Sequence, residues 1–124
     1  MIGVNAQSEK YKIVFDLNDG DTATHSTVLR QFNNILKAAP DAELELVCYG
    51  KAVNMFVKDK VYFEEKIKEL KGKATVSFKV CANSLKRFNI DKSQVSELAE
   101  IVPVAILELS SKQMQGWSYI KAGN

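Results

Sequence analysis

Cys81 is the side chain whose type and place point most directly to chemistry. It closes a run at residues 74–80 in which Val76, Phe78 and Val80 alternate with Thr75, Ser77 and Lys79, the period-two pattern of a strand. Asn83 and Ser84 follow it, and both are residue types that start helices. A thiol between the end of a strand and the start of a helix faces unpaired backbone N–H groups and the positive end of the helix dipole, and both favour the thiolate. Lys79 and Lys86 add positive charge close by in the chain. The plain alternative is a small buried hydrophobe, since free cysteines are among the most buried residues. Its place at the strand end favours the reactive reading.

The other candidates are weaker. Cys48 lies inside Leu46-Val47-Cys48-Tyr49, so it is expected in the core with a raised thiol pKa. His25, the single histidine, shares a helix face with Leu29 and Phe32 and is expected half-buried; service as a base toward Cys81 is the less favoured use. One histidine and two distant cysteines have no metal-ligand spacing, so neither a metal nor a cofactor is expected. Five residues separate Cys81 from Arg87, the count used by cysteine phosphatase and rhodanese-type loops to wrap an anion. Such loops need glycines where the backbone turns inward. None lies between Cys81 and Arg87, and Phe88 stands where a hydroxyl residue is usual, so the match reads as coincidence.

The elements that must position these residues are regular. Residues 12–18 read as a buried strand, Asn18-Asp19-Gly20-Asp21 as a turn, and His25, Leu29, Phe32, Leu36 and Ala39 as one face of a helix that stops at Pro40. Residues 44–49 give a second strand with Gly50 as its turn and a helical turn at 52–57. Phe63, Ile67 and Leu70 then mark a charged-faced helix ended by Gly72. After the strand at 74–80, a short helix through Phe88 and a second, capped by Asp91, over 91–98 are expected. Residues 101–109 read as a fourth, almost continuously apolar strand, 110–116 as a last helical turn and 117–121 as a final strand.

This alternation predicts a three-layer α/β/α fold with about five mostly parallel strands and helices on both faces. Ligands in such sheets bind beyond the C-terminal ends of the strands. That edge is expected to hold Asn18, Asp19, Gly50, Cys81, Asn83 and Ser84, together with residues 110–112.

Length and composition bound the rest. The chain has 124 residues, 46% of them apolar and 26% charged, which suits one globular domain at 11–124 after a flexible leader at 1–10. A net charge of +2, with Arg30 and Arg87 the only arginines, gives no footprint for nucleic acid or an anionic membrane. The longest apolar stretch is far short of the roughly 20 residues of a membrane helix. Two cysteines are no disulfide framework, so free thiols and a cytoplasmic protein are expected. Export is the alternative, because Val4-Asn5-Ala6 is similar to the end of a secretory signal whose charged and apolar parts are missing.

A family resemblance adds to this reading. Val80-Cys81-Ala82-Asn83-Ser84-Leu85-Lys86-Arg87-Phe88-Asn89-Ile90 resembles the cysteine segment of the DsrE/DsrF-like (YchN-like) proteins. Asn33 to Lys37, Leu46 to Gly50, Ile101 to Ala105 and Gln115 to Ile120 resemble further segments of that family in the same order, so the likeness covers Tyr11 to Lys121. The resemblance implies a flavodoxin-like domain that assembles into trimers or hexamers. It also implies a cysteine, here Cys81, that carries sulfane sulfur as a persulfide and passes it to a sulfur-relay partner. Asn83 and Ser84 would steady that sulfur. The expected function is therefore sulfur carriage on Cys81 rather than turnover. A binding or assembly module with an inert Cys81 comes second, and a Cys-x5-Arg enzyme third. Trp117, Tyr119 and Phe88 are the aromatics expected at a subunit interface or in the domain's own core.

Overall fold

Strand β1 (Lys12–Leu17) passes to helix α1 (Thr22–Ala38) through a turn whose Asp21 caps the helix by accepting the Ala23 N–H at 2.9 Å. The computed structural model describes residues 10–60, 62–73 and 75–123. The leader at 1–10, apart from Lys10, and the Val4-Asn5-Ala6 segment lie outside them. Strand β2 (Glu43–Cys48) leads through a 3-10 helix (Gly50–Phe56) and a single 3-10 turn to helix α2 (Glu64–Lys71). Strand β3 (Val76–Cys81) runs directly into helix α3 (Ala82–Arg87), and strand β4 (Glu100–Val102) is followed by helix α4 (Ala105–Met114) and strand β5 (Ser118–Lys121). All strand pairs are parallel, in the order β4-β3-β2-β1-β5. The three-layer α/β expectation holds, with β1 between β2 and the edge strand β5.

That order decides which helices share a face. From β1 to β4 the chain steps steadily one way, so right-handed crossovers place their helices on one side. The last connection returns across the whole sheet and puts α4 on the other. Packing agrees: Val28, Leu29, Phe32 and Leu36 of α1, Ile67 and Leu70 of α2, and Leu85 of α3 belong to the main core, while Ala105 and Leu109 of α4 pack with Val14, Val47 and Cys81.

The register also divides the side chains. Phe15, Leu17, Leu44, Leu46, Cys48, Val76, Phe78 and Val80 enter the main core, where Phe32 meets Phe15 at 4.9 Å and Phe78 at 6.2 Å between ring centres. The alternate positions Lys12, Asp16, Glu45, Tyr49, Ser77, Lys79, Cys81, Tyr119 and Lys121 share the α4 face. One side of the sheet is thus hydrocarbon, and the other is largely polar with α4 packed over it.

Two expectations are corrected. The apolar run 101–109 is not a central strand: its ladder stops at Val102 on the sheet edge, Pro103 donates nothing, and a helix starts at Ala105 rather than at 110. Ala105 and Leu109 point inward one turn apart, while Ile106 and Leu107 are 56% and 66% exposed. Residues 103–105, not 110–112, therefore stand at the C-terminal sheet edge. The helix expected over 91–98 is a single 3-10 turn (Lys92–Gln94), capped by Asp91 through a full capping box.

Candidate functional site

The polypeptide turns twice toward the Cys81 sulfur. At the end of β3 the chain goes straight into α3, and the amides of Asn83 and Ser84 face Sγ. From the neighbouring β4, Pro103 and Val104 bring in the start of α4, whose Ala105 N–H donates to Sγ at 3.4 Å. The two starts are tied together by Asn83 N–H donating to the Pro103 carbonyl at 3.3 Å. Pro103, which ends the β4 ladder, thus supplies an acceptor to α3.

Ser84 completes the setting. Its buried Oγ accepts the Gly50 N–H at 2.9 Å, leaving the hydroxyl proton free for the Cys81 sulfur. Gly50 has a φ of +57°, and an added Cβ would lie 3.4 Å from the Asn18 carbonyl oxygen. Glycine is required there to aim its own amide at Ser84.

Burial raises the Cys81 thiol pKa, but the bonds from Ala105, Ser84 and Asn83 outweigh it and leave the thiol below its ordinary value. Cys48 is the contrast. It lies in the main core with no accessible surface, and burial alone pushes its thiol far up. The two cysteines thus differ: hydrogen-bond donors hold the Cys81 thiol below its ordinary value, and Cys48 is core packing.

Asn18, Gly50, Asn83 and Ser84 are placed around the strand ends as the sequence suggested, with Gly50 and Asn83 acting through their backbones. Asp19 serves its own loop: its carboxylate accepts the Asp21 N–H at 2.8 Å and the Thr24 hydroxyl at 3.0 Å. His25 is 2% exposed with Nε2 on the Asp19 carbonyl at 2.6 Å, so it is a buried structural residue rather than a base for Cys81. The Cys81–Arg87 segment is a helix, not an anion-wrapping loop, and the Arg87 guanidinium stacks over Phe88 at 5.5 Å.

The DsrE/DsrF-like family model matches residues 12–122, which is nearly all of the described chain. The chain belongs to the DsrE/DsrF-like family. Among curated proteins none matches the sequence. Solved structures similar to this DsrE/DsrF-like protein include the protein of unknown function MTH1491 from Methanobacterium thermoautotrophicum, 24% identical with a TM-score of 0.84 over 90% of this chain and 99% of that one. The ychN protein from E. coli is 17% identical with a TM-score of 0.74, covering 90% and 98% of the two chains. BT1422 from Bacteroides thetaiotaomicron, of unknown function, is 10% identical with a TM-score of 0.65 over 89% and 93%. These likenesses concern the fold.

This DsrE/DsrF-like protein also carries polar groups that the motif reading passed over. Asp16 is 6% exposed; it accepts the Tyr119 hydroxyl and lies 3.5 Å from Lys121 Nζ. Tyr49 is pushed up to about 12 by burial and by Asp16, and Tyr119 to about 12 by its bond to Asp16 and by burial. Further down the same face, Glu45 is 1% exposed beside Ser77, Lys112 and Glu108. Their signal was a charge at alternate positions of otherwise apolar strands, Asp16 in KIVFDL and Glu45 in ELELVC. Among the described residues, no helix is long and apolar enough to cross a membrane.

Proposed function

We propose that Cys81 carries sulfane sulfur as a persulfide and passes it to a partner thiol. The observation that supports this is the convergence of two helix starts and one oriented hydroxyl on a single sulfur. Lowering the thiol pKa makes a nucleophile at neutral pH, and the same donors are suited to a negative charge on a second sulfur.

Loading is a displacement without net oxidation. The Cys81 thiolate attacks the outer sulfur of a donor persulfide or of thiosulfate; a new S–S bond forms as the donor's S–S bond breaks, and the donor thiolate or sulfite leaves with the electron pair. Release is the reverse, with the acceptor's thiolate attacking the outer sulfur and the Cys81 thiolate departing. No residue of the helix beyond Ser84 is needed, so Arg87 has no part in it.

Self-assembly belongs to the same reading. Ile106 and Leu107 on α4 and Val104 just before it are 56%, 66% and 37% exposed, and a second copy of the chain would cover them, in the trimer or hexamer the family resemblance implies. That patch also favours the second reading, an assembly module in which Cys81 is inert. Free thiols fit a reducing, cytoplasmic setting.

Intact mass decides between the readings. Wild type and Cys81→Ala are incubated with thiosulfate or polysulfide and then with dithiothreitol. A gain of sulfur atoms that reduction removes, absent from Cys81→Ala while Cys48 remains, supports carriage. No gain on a thiol that alkylates normally leaves the assembly module. Gel filtration giving a monomer at micromolar concentration would remove the proposed oligomer.

A further inference from the structure

Cys81 must be reached to react, yet it is 4% exposed, and the helix whose first amide holds its sulfur is, among the described residues, the only helix packed on that face of the sheet. What fastens α4 therefore governs access. Ala105 and Leu109 supply apolar contact with Val14, Val47 and Cys81. Between them on the helix, Glu108 meets Glu45 in the middle of β2.

Glu45 has an unusual balance of partners. Its Oε1 accepts the Ser77 hydroxyl at 3.2 Å and lies 3.7 Å from Lys112 Nζ, while its buried Oε2 has no donor. A carboxylate oxygen buried without a donor is costly. A proton on Glu45 turns that oxygen into a donor for the Glu108 carboxylate within its reach. The other charged groups around Glu45 are few. Lys79 on β3 is paired with Glu100, and Lys112 on α4 lies 4.6 Å from the Trp117 ring centre. On β1 the uncharged Val14 stands opposite, with Lys12 and Asp16 two positions to either side.

We infer that a protonated Glu45 donating to Glu108 is a latch that holds α4 over Cys81 and releases it when Glu45 loses the proton. The inference deepens the Cys81 reading, resting on it for its use, because a sulfur donor or acceptor reaches the thiol through the released form. Burial, then the hydrogen bond to Glu108 and its charge, push Glu45 up to about 7 against the opposing pull of Lys112 and Lys79. A released form with Glu45 in water has its ordinary pKa, so it binds the proton less tightly and gains population as pH rises. The gap between the ordinary value of 4.5 and about 7 caps that gain at on the order of 300-fold.

The test is the rate of Cys81 alkylation by iodoacetamide, a small neutral reagent, read on the Cys81 peptide by mass spectrometry from pH 5.5 to 8.5. Each rate is divided by the thiolate fraction measured from absorbance at 240 nm, which removes the ionisation of the thiol itself. The expected result is a corrected rate that rises at least about tenfold through a single transition near neutrality. In Glu45→Gln the amide donates to Glu108 at every pH, and the corrected rate stays at the low-pH level. A flat wild-type profile, or the same step in Glu45→Gln, overturns the latch. Should Glu45→Gln not fold, hydrogen exchange of wild type serves instead. Protection at Glu108 and Leu109 that falls from about pH 4.5 to 7 and then levels off, after correction for intrinsic exchange, supports the latch, and unchanged protection overturns it. Neither measurement involves sulfur loading, so a failure of persulfide carriage and a failure of the latch are read separately.

Discussion

Ser84 Oγ accepts the Gly50 amide hydrogen at 2.9 Å, and this fixes which way the hydroxyl proton of Ser84 can turn. With its lone pair engaged by a residue 34 positions earlier in the chain, the hydroxyl is left to donate to the Cys81 sulfur. The loop after β2 thereby tunes a thiol at the end of β3, and two substitutions separate its parts.

Ser84→Ala removes a side-chain donor from the thiolate and leaves the Gly50 N–H without its acceptor. A hydrogen bond to a charged group contributes on the order of 1.5 kcal/mol, so the Cys81 pKa should rise by about one unit. Titration of the thiolate absorbance at 240 nm reads the shift. An unchanged titration would mean that the backbone amides alone set the pKa.

Gly50→Ala acts through the backbone. A φ of +57° is unfavourable for a residue with a Cβ, and that Cβ would press on the Asn18 carbonyl oxygen at 3.4 Å. The cost should be on the order of 1–2 kcal/mol, seen as a fall in the thermal midpoint. If the amide is displaced, the Cys81 pKa rises as in Ser84→Ala. A variant as stable as wild type would show that the loop accommodates the methyl group.

Local rules carried the sequence reading a long way. Strand β1, helix α1, strand β2 and helix α2 follow the apolar spacing, and Cys81 falls at the end of β3 where alternation placed it. The reading failed between 101 and 109, where exposed Ile106 and Leu107 made a helix look like a buried strand. Apolar residues on a surface break the rule that links apolarity to burial, and nothing in the local pattern marks the exception. Because that boundary was misplaced, the Ala105 amide at the sulfur was invisible. So were the Gly50 to Ser84 bond and the Glu45 to Glu108 contact, since each joins elements whose adjacency is set by strand order.

Arg87→Ala should leave sulfur loading of Cys81 unchanged within error. Arg87 ends a helix and stacks on Phe88, and the groups that donate to the sulfur are Ala105, Ser84 and Asn83. Intact mass after thiosulfate treatment checks this. A large loss of loading would return the Cys-x5-Arg arrangement to consideration.

The pH dependence of stability should have opposite slopes on the two sides of neutrality. Glu45 is raised from 4.5 to about 7 by burial and by Glu108, so the folded state binds the proton more tightly than the unfolded chain. Its contribution is fully present below about 4.5 and is lost as pH rises through about 7. Cys81 is lowered from 9.0, so its contribution is present above that value and is lost as pH falls through its folded pKa. Asp91 and Glu100, both lowered by hydrogen-bond partners, lose theirs only in acid. The thermal midpoint should therefore fall by on the order of 5 °C from pH 4.5 to 7 and recover toward pH 9. Scans at constant ionic strength on wild type, Glu45→Gln and Cys81→Ala check both arms. Glu45→Gln should abolish the fall and keep the recovery, Cys81→Ala the reverse. A fall that persists in Glu45→Gln would place the titrating group elsewhere on the sheet.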